Sequence, residues 1–411
     1  MSASSAREGT PRNATRTRLL HDVRLPDGRR ADIRIADGRI VEVGAGLAAR
    51  HPDAERVDGR GHLVLAGLVD GHVHLDKTLT GLPWMAHRAG PDRQSRIETE
   101  QRLRGSLPPV AGRAASLVRQ CIARGTAAIR THVDVTPELG LDHLRAILEV
   151  RERFADSVQI QIVAFPQTGV VSRRGEAALL EAALGEGADL LGGIDPITFD
   201  GDAAGQLDAL FDIAERRDAG LDLHLHDPGV NGLAEITALA ERTRALGFTG
   251  RVTVSHGFCL GNCTEPEFER VAALMADAGV SLVSHGGGAS PLPPVKRLRE
   301  RGVEVFAGND DVRDPWSPYG DGDMLERAML LAWRSGFRTD ADLGVALECA
   351  SAAGARVLGL EHHGLWPGCR ADLYTVPAET VAEAVVARPV RSLVLKGGRI
   401  VARDGEYLAA R

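Results

Sequence analysis

Between Leu19 and Gly44 apolar and polar residues alternate with a period of two, and the turn sequences PDG and ADG interrupt the alternation. That pattern predicts short antiparallel strands. The segments GCRADLYTVPA (368–378) and RSLVLKGGRIVARDGEYL (391–408) read the same way. Two β-rich ends around a different middle predict one small β-sandwich domain built from residues 18–66 and 366–411.

The middle, residues 67–365, alternates between strand-like and helix-like runs. The strand candidates are GLVDGHVHL, AAIRTHVDV, QIQIVAFP, DLLGGIDP, LDLHLHD, RVTVSHG, GVSLVSHGG and VEVFAGNDD. Helical stretches such as EAALLEAALGEGA and DALFDIAERRDAG lie between most of them. Eight strand–helix alternations predict parallel βα units, and eight is the number that closes a (β/α)8 TIM barrel. An open doubly wound sheet is the other solution, but no GxGxxG opens a helix here.

Composition narrows the class. Hydrophobic residues make up 44% of the 411, enough for a large core, and 49 Lys+Arg against 56 Asp+Glu leave a net charge of −7. A mildly acidic chain predicts neither a nucleic-acid footprint nor a basic membrane face. No run of 18 apolar residues occurs, so no membrane span is expected. Residues 1–17 are small, polar and basic with no apolar stretch after them, and read as a disordered lead rather than a signal peptide. The five cysteines (Cys121, Cys259, Cys263, Cys349, Cys369) form no CxxC, and read as reduced thiols of a cytoplasmic protein.

Polar residues gather where the predicted strands end: His72 and His74, His132 and Asp134, Gln167, Asp195, His224 with His226 and Asp227, His256, His285, Asp310 and Asp311. Barrel enzymes build their sites at that rim. If the barrel closes, His72, His74, His224 and Asp310 converge. Three imidazoles and a carboxylate with one open position make a catalytic divalent-metal set, which would bring the pKa of a bound water towards ~7. The fourth strand, DLLGGIDP, has no lysine to bridge a second ion. Lys77 either fixes its loop, meets substrate or is an ordinary surface lysine. His285 either lines the pocket or packs. His143, His362 and His363 lie away from the strand ends and read as solvent or packing residues. GGGAS lacks a following GK[ST], and DGD at 321–323 lacks the spacing of a calcium loop.

The motifs GHVHLDK, RTHVDV, IVAFPQTG, DLHLHD, VSHG and GNDDVRDPW, in this order, resemble the amidohydrolase superfamily between roughly Leu63 and Val376. They are most similar to its cytosine deaminase branch, including relatives that hydrolyse N-alkylamino-triazines. The resemblance implies a (β/α)8 barrel, a β-sandwich from both termini, one Fe or Zn ion and hydrolytic removal of an amino group from a heterocycle. Position by position, it implies that His72, His74, His224 and Asp310 hold the metal. Asp310 would also take the proton of the attacking water, and His256 would steady that water or the intermediate. Gln167 would recognise an amide edge, with Asp311 and Trp316 near the substrate. A glutamine beside Phe165–Pro166 offers both donor and acceptor to an O=C–N–H edge, although Gln167 also reads as a loop cap and Trp316 as packing.

One departure stands out. Where the deaminases carry a proton-shuttling glutamate, this chain has Asp227, one methylene shorter, and a displacement near 1 Å can cost ~100-fold in rate. Asp227 also reads as a turn residue before Pro228–Gly229. Strand alternation sends Asp222, His224 and His226 to one face, so His226 becomes a second proton carrier or a substrate contact. The expected function is deamination of a small heterocycle such as cytosine or a related pyrimidine or triazine. Cleavage of an amide or an N-alkylamine is the second reading, and a non-catalytic metal- or ligand-binding barrel the third. The expected partner is that small molecule, with a homo-oligomer as an open option.

Overall fold

The structure, a computed structural model, describes residues 17–409, so the expected lead lies outside the described residues save for Thr17. The N-terminal strands are β1 (Arg18–Arg24), β2 (Arg30–Ala36), β3 (Arg39–Gly44), β4 (Glu55–Asp58) and β5 (Leu63–Ala66). The barrel strands follow: β6 (Leu68–Val73), β7 (Thr126–Asp134), β8 (Gln159–Phe165), β9 (Leu190–Ile194), β10 (Gly220–Leu225), β11 (Val252–His256), β12 (Ser281–Ser284) and β13 (Val305–Ala307). The chain ends with β14 (Leu373–Val376), β15 (Leu393–Lys396), β16 (Arg399–Arg403) and β17 (Glu406–Tyr407).

Strands β6 to β13 pair in sequence order, each parallel to the next. A parallel bridge between Val73 and Asp310 brings the last strand back to the first at the rim. The expected TIM-barrel architecture is therefore present. Its walls follow from alternation. On β10, Leu221, Leu223 and Leu225 turn outward into the helix-packed core, while Asp222 and His224 point into the barrel. Val69 and Ala128, near the start of their strands, pack with Phe306 and with Ala353 and Ala355 of the helix Ala352–Val357. The polar residues are left at the opposite, C-terminal end.

Two glycines allow the closure. A Cβ on Gly71 would lie 2.3 Å from the Phe306 ring and 2.9 Å from the Ala307 carbonyl. A Cβ on Gly308 would meet His72 at 2.6 Å. Only residues without side chains let β6 and the β13 exit approach this closely.

Both chain ends feed one smaller sheet, ordered β17-β16-β15-β14-β5-β1-β2-β3 with β4 on β1. Its core draws on both ends at once: Leu20, Ile33 and Val64 with Ala371, Leu373 and Leu395. Lys396 Nζ ties this sheet to the barrel, donating to the Ala127 carbonyl at 3.0 Å and pairing with Asp372 Oδ2 at 2.7 Å. Among the described residues no helix is long and apolar enough to cross a membrane, and all five cysteines are free.

Candidate active site

The first cluster is a set of electron-pair donors. His74 Nε2 and His224 Nε2 face each other at 3.3 Å. Asp310 Oδ1 lies 3.3 Å from His72 Nε2 and 3.6 Å from His74 Nε2. Four donors around one ion with bonds near ~2.0–2.1 Å stand about 3.3 Å apart at the edges of a tetrahedron. These three spacings fit that figure: the donor atoms of His72, His74 and His224 lie within 4.8 Å of one another, and Asp310 joins the group through His72 and His74. The protonation states fit as well. Burial drives His74 down to about 3, with the charges of Lys77 and His72 adding to it, and burial holds His224 well below its ordinary value. Neutral imidazoles keep their lone pairs.

The tautomer of His72 follows from its neighbours. Arg130 donates to Asp222 Oδ2 at 2.9 Å, and the Ser255 hydroxyl donates to Asp222 Oδ1 at 2.6 Å. The Ser255 oxygen is left to accept from His72 Nδ1 at 2.8 Å. The proton thus sits on Nδ1, and Nε2, which has no hydrogen-bond partner among the described residues, presents its lone pair to the cluster. Asp310 is pinned by its backbone, whose N–H donates to the His72 carbonyl at 2.7 Å. It adopts a positive φ of 60°, and His256 one of 75°. Left-handed backbone at non-glycine residues is costly, and here the barrel rim enforces it.

A second cluster faces the donors. His226 stacks on His256, ring centroids 4.3 Å apart. His226 Nδ1 lies 2.8 Å from Asp195 Oδ2, and Arg93 Nη1 lies 3.4 Å from the same oxygen. Burial works against the charge on Asp195, but His226 and Arg93 outweigh it and hold its carboxyl below the usual range. His285 accepts from the Gly287 N–H through Nδ1 at 3.1 Å and turns Nε2 to within 3.8 Å of Asp310 Oδ2. It lines the cavity rather than packing away from it.

Asp227 departs from expectation. Its carboxylate is taken by Arg93 Nη2 at 2.8 Å and by the Thr198 hydroxyl at 2.6 Å, and it is not among the residues of the cavity wall. The reason is local. β10 ends at Leu225, so alternation stops there, and Asp195 accepts from the backbone N–H groups of both His226 and Asp227. That turn leaves His226 at the cavity and withdraws Asp227.

A third group forms the opposite wall. Lys77 is buried, not a surface lysine. Its Nζ lies 3.1 Å from Asp134 Oδ1 and 3.5 Å from Glu100 Oε2, over the rings of Trp316 (5.3 Å) and Phe165 (5.5 Å). Burial opposes its charge, but Asp134, Glu100 and Asp76 outweigh burial and hold it protonated. Gln167, Asp311 and Trp316 all line the cavity. Burial together with neighbouring Asp314 and Asp310 pushes the Asp311 carboxyl well above its ordinary value.

Sequence reasoning missed Glu100 and Arg93, both on the helix Arg93–Arg104. The signal was there in Ile97, the helix's buried aliphatic side chain: Glu100 and Arg104 follow it at i+3 and i+7, so an acid sits on the inward face. His143, read as a packing or solvent residue, is a buried polar partner instead. Its Nδ1 lies 2.8 Å from Asp76 Oδ2, which also accepts from the Asp134 N–H at 3.0 Å and so braces the loop after β6. His363 is half-buried and meets the Gly67 carbonyl through Nε2 at 2.8 Å, while His362 is exposed.

The three groups border one open cavity of about 1090 Å³, large for a small-molecule site. Its other walls include Phe258, Ile194, Leu330, the segment Ala89–Arg93 and the charged Glu326 and Arg327.

The sequence profile of the amidohydrolase family matches residues 55–402. The chain belongs to that family. It is 33% identical to N-isopropylammelide isopropyl amidohydrolase of Pseudomonas sp. (strain ADP) over 385 residues, 92% of this chain and 95% of that one. The crystal structure of N-isopropylammelide isopropylaminohydrolase from Burkholderia multivorans superposes with a TM-score of 0.92 at 48% identity, covering 95% of this chain and all of the other. The 5-methylcytosine deaminase of Klebsiella pneumoniae, solved with 5-fluorocytosine, superposes with a TM-score of 0.83 at 28% identity, covering 95% and 98%. The protein is thus an amidohydrolase acting on C–N bonds, and the family is metal-dependent.

Proposed function

We propose that the protein hydrolyses the exocyclic C–N bond of a small six-membered nitrogen heterocycle, releasing an alkylamine from an N-alkylamino-triazine of the N-isopropylammelide kind. The 48% likeness, spanning the whole of the Burkholderia enzyme, carries this reading. The cavity supports it. Phe258, Ile194 and Leu330 are among its lining residues and offer an alkyl group apolar contacts. The likeness to a cytosine-type deaminase favours a second reading, release of ammonia from a ring of the same shape.

Under this proposal His72, His74, His224 and Asp310 would hold one divalent ion, zinc or iron, which would supply Lewis acidity and bring the pKa of an attacking water towards ~7. Asp310 takes the proton of that water on Oδ2, the oxygen that faces His285. His256 stabilises the charge developing on the ring carbon's oxygen. His226, stacked on His256 and held by Asp195, gives a proton to the departing nitrogen. This role passes to His226 because Arg93 and Thr198 engage Asp227. Lys77, Gln167, Asp311 and Trp316 hold the ring against the opposite wall.

Steady-state assay of the metal-loaded protein on N-isopropylammelide and on cytosine, with isopropylamine and ammonia measured separately, tests both readings. Isopropylamine release with kcat/KM at least about tenfold above that for cytosine is expected; the reverse order would establish the deaminase reading. Neither product from any N-alkylamino-triazine or aminopyrimidine would sink both.

A further inference from the structure

Gln167 Nε2 and Trp316 Nε1 both donate to a single oxygen, Glu100 Oε2, each at 2.8 Å. Arg104 holds the other oxygen at 3.0 Å, so the carboxylate is engaged on both sides. Burial opposes the charge on Glu100, but Lys77 and the hydrogen bonds from Gln167 and Trp316 outweigh it and draw the carboxyl down to about 2. An ionised carboxylate only accepts. It therefore decides which end of the Gln167 amide faces it, a choice that the heavy atoms of an amide do not make by themselves. With the nitrogen drawn to Glu100, Gln167 Oε1 is left buried and without a hydrogen-bond partner among the described residues, on a side chain that lines the cavity. Lys77, a cation donor, stands 3.5 Å from the same Glu100 oxygen.

We propose that Glu100 is a positioning residue that sets the polarity of the recognition edge: Gln167 Oε1 as acceptor beside Lys77 Nζ as donor. The cavity then admits a ring in its lactam form, with a ring N–H towards Gln167 and the adjacent C=O towards Lys77. A ring that offers a lone pair or an ether oxygen in place of the N–H leaves Oε1 unpaired and meets it with like polarity. The inference rests on Gln167 being a substrate contact, and it revises the expectation that this side chain offers donor and acceptor equally. It also accounts for an acid on a helix that contributes no atom to the chemistry.

The test uses two rings of one shape, 2-pyridone (a lactam) and 2-pyranone (the matching lactone), with binding to the metal-loaded protein followed by NMR titration. The wild-type protein is expected to prefer the lactam by about tenfold or more, the scale on which an unpaired buried polar group discriminates. Gln167→Ala is expected to bring the two affinities within about threefold. Glu100→Gln, nearly isosteric, is expected to do the same by freeing the Gln167 amide to turn, and to have no further effect in the Gln167→Ala background. Should Glu100→Gln not fold, Glu100→Asp keeps the charge for Lys77 and Arg104 but withdraws the oxygens, and the same loss of preference is expected.

The outcomes are separable. If Gln167→Ala leaves the preference intact, the reading of Gln167 as a substrate contact fails. If Gln167→Ala removes the preference while Glu100→Gln or Glu100→Asp keeps it, the positioning role of Glu100 is overturned and the substrate contact stands. Equal affinity of the wild-type protein for both rings overturns the lactam rule itself.

Discussion

His226 Nδ1 sits 2.8 Å from Asp195 Oδ2, while the neighbouring Asp227 is bound to Arg93 and Thr198. A carboxylate on Nδ1 fixes the tautomer and orientation of the imidazole. Replacing it with an amide favours the wrong tautomer. Asp195→Asn is expected to lower kcat by roughly 100-fold with KM little changed. Asp227→Asn is expected to cost less than about tenfold. Steady-state kinetics of the two variants decide which side chain moves the proton: a severe loss for Asp227→Asn alone would return that role to it.

The donor cluster predicts a metal dependence with defined stoichiometry. Dialysis against a chelator is expected to abolish activity, and zinc or iron to restore it at one ion per chain. His224→Ala removes one of two nitrogens that face each other at 3.3 Å. It is expected to reduce bound metal at least about tenfold, measured by elemental analysis after equilibrium dialysis. Two ions per chain in the active wild-type protein would contradict the single-ion proposal.

Glu176 predicts a pH-dependent stability. It is buried, and neither carboxylate oxygen has a partner among the described residues. Burial pushes it up to about 8, with Arg173 drawing it back only in part. The unfolded chain sheds this proton near the ordinary glutamate value of 4.5, the folded chain only near 8. Between those limits the folded state holds the extra proton. The stabilising contribution of the neutral form is therefore full below pH ~4.5 and is lost as pH rises through about 8, by at most about 1.4 kcal/mol per pH unit. Glu176→Gln removes that dependence. Urea midpoints at pH 5 and pH 8.5 are expected to show the variant gaining on the wild type at the higher pH; a constant difference would refute the assignment.

Gly71→Ala puts a methyl group 2.3 Å from the buried Phe306 ring at the seam between β6 and β13. Overpacking of this kind costs about 1–3 kcal/mol. A lower Tm is expected, together with weaker metal retention, because the same seam sets His72 against Asp310. A variant with unchanged Tm and metal content would show that the seam yields.

The eight barrel strands were legible because their runs are apolar, short and separated by helical stretches, and the rim residues fell where each run turns polar. Extending the alternation of β10 one step past its last residue, Leu225, put His226 on the face of His224, where the turn around Asp195 keeps it. Asp227 was not legible, because alternation ends with the strand and a backbone turn around Asp195 decides its direction. Lys77 stayed open for a similar reason: loop residues carry no period, and its partners Asp134 and Glu100 come from β7 and from a helix. Glu100 lies 67 residues from Gln167 and 216 from Trp316, so only the folded chain reveals that they share one oxygen.

In the smaller sheet Leu63–Ala66 pairs with Leu373–Val376 across the entire barrel sequence. A ribosome delivers the first of these strands long before the second. Throughout synthesis β5 therefore carries an unpaired, apolar border, and the barrel must form around a foundation that is only half built. Loss of the last forty or so residues would leave that border permanently open, so premature termination near the 3′ end of the message would yield an aggregating product rather than a merely shortened enzyme.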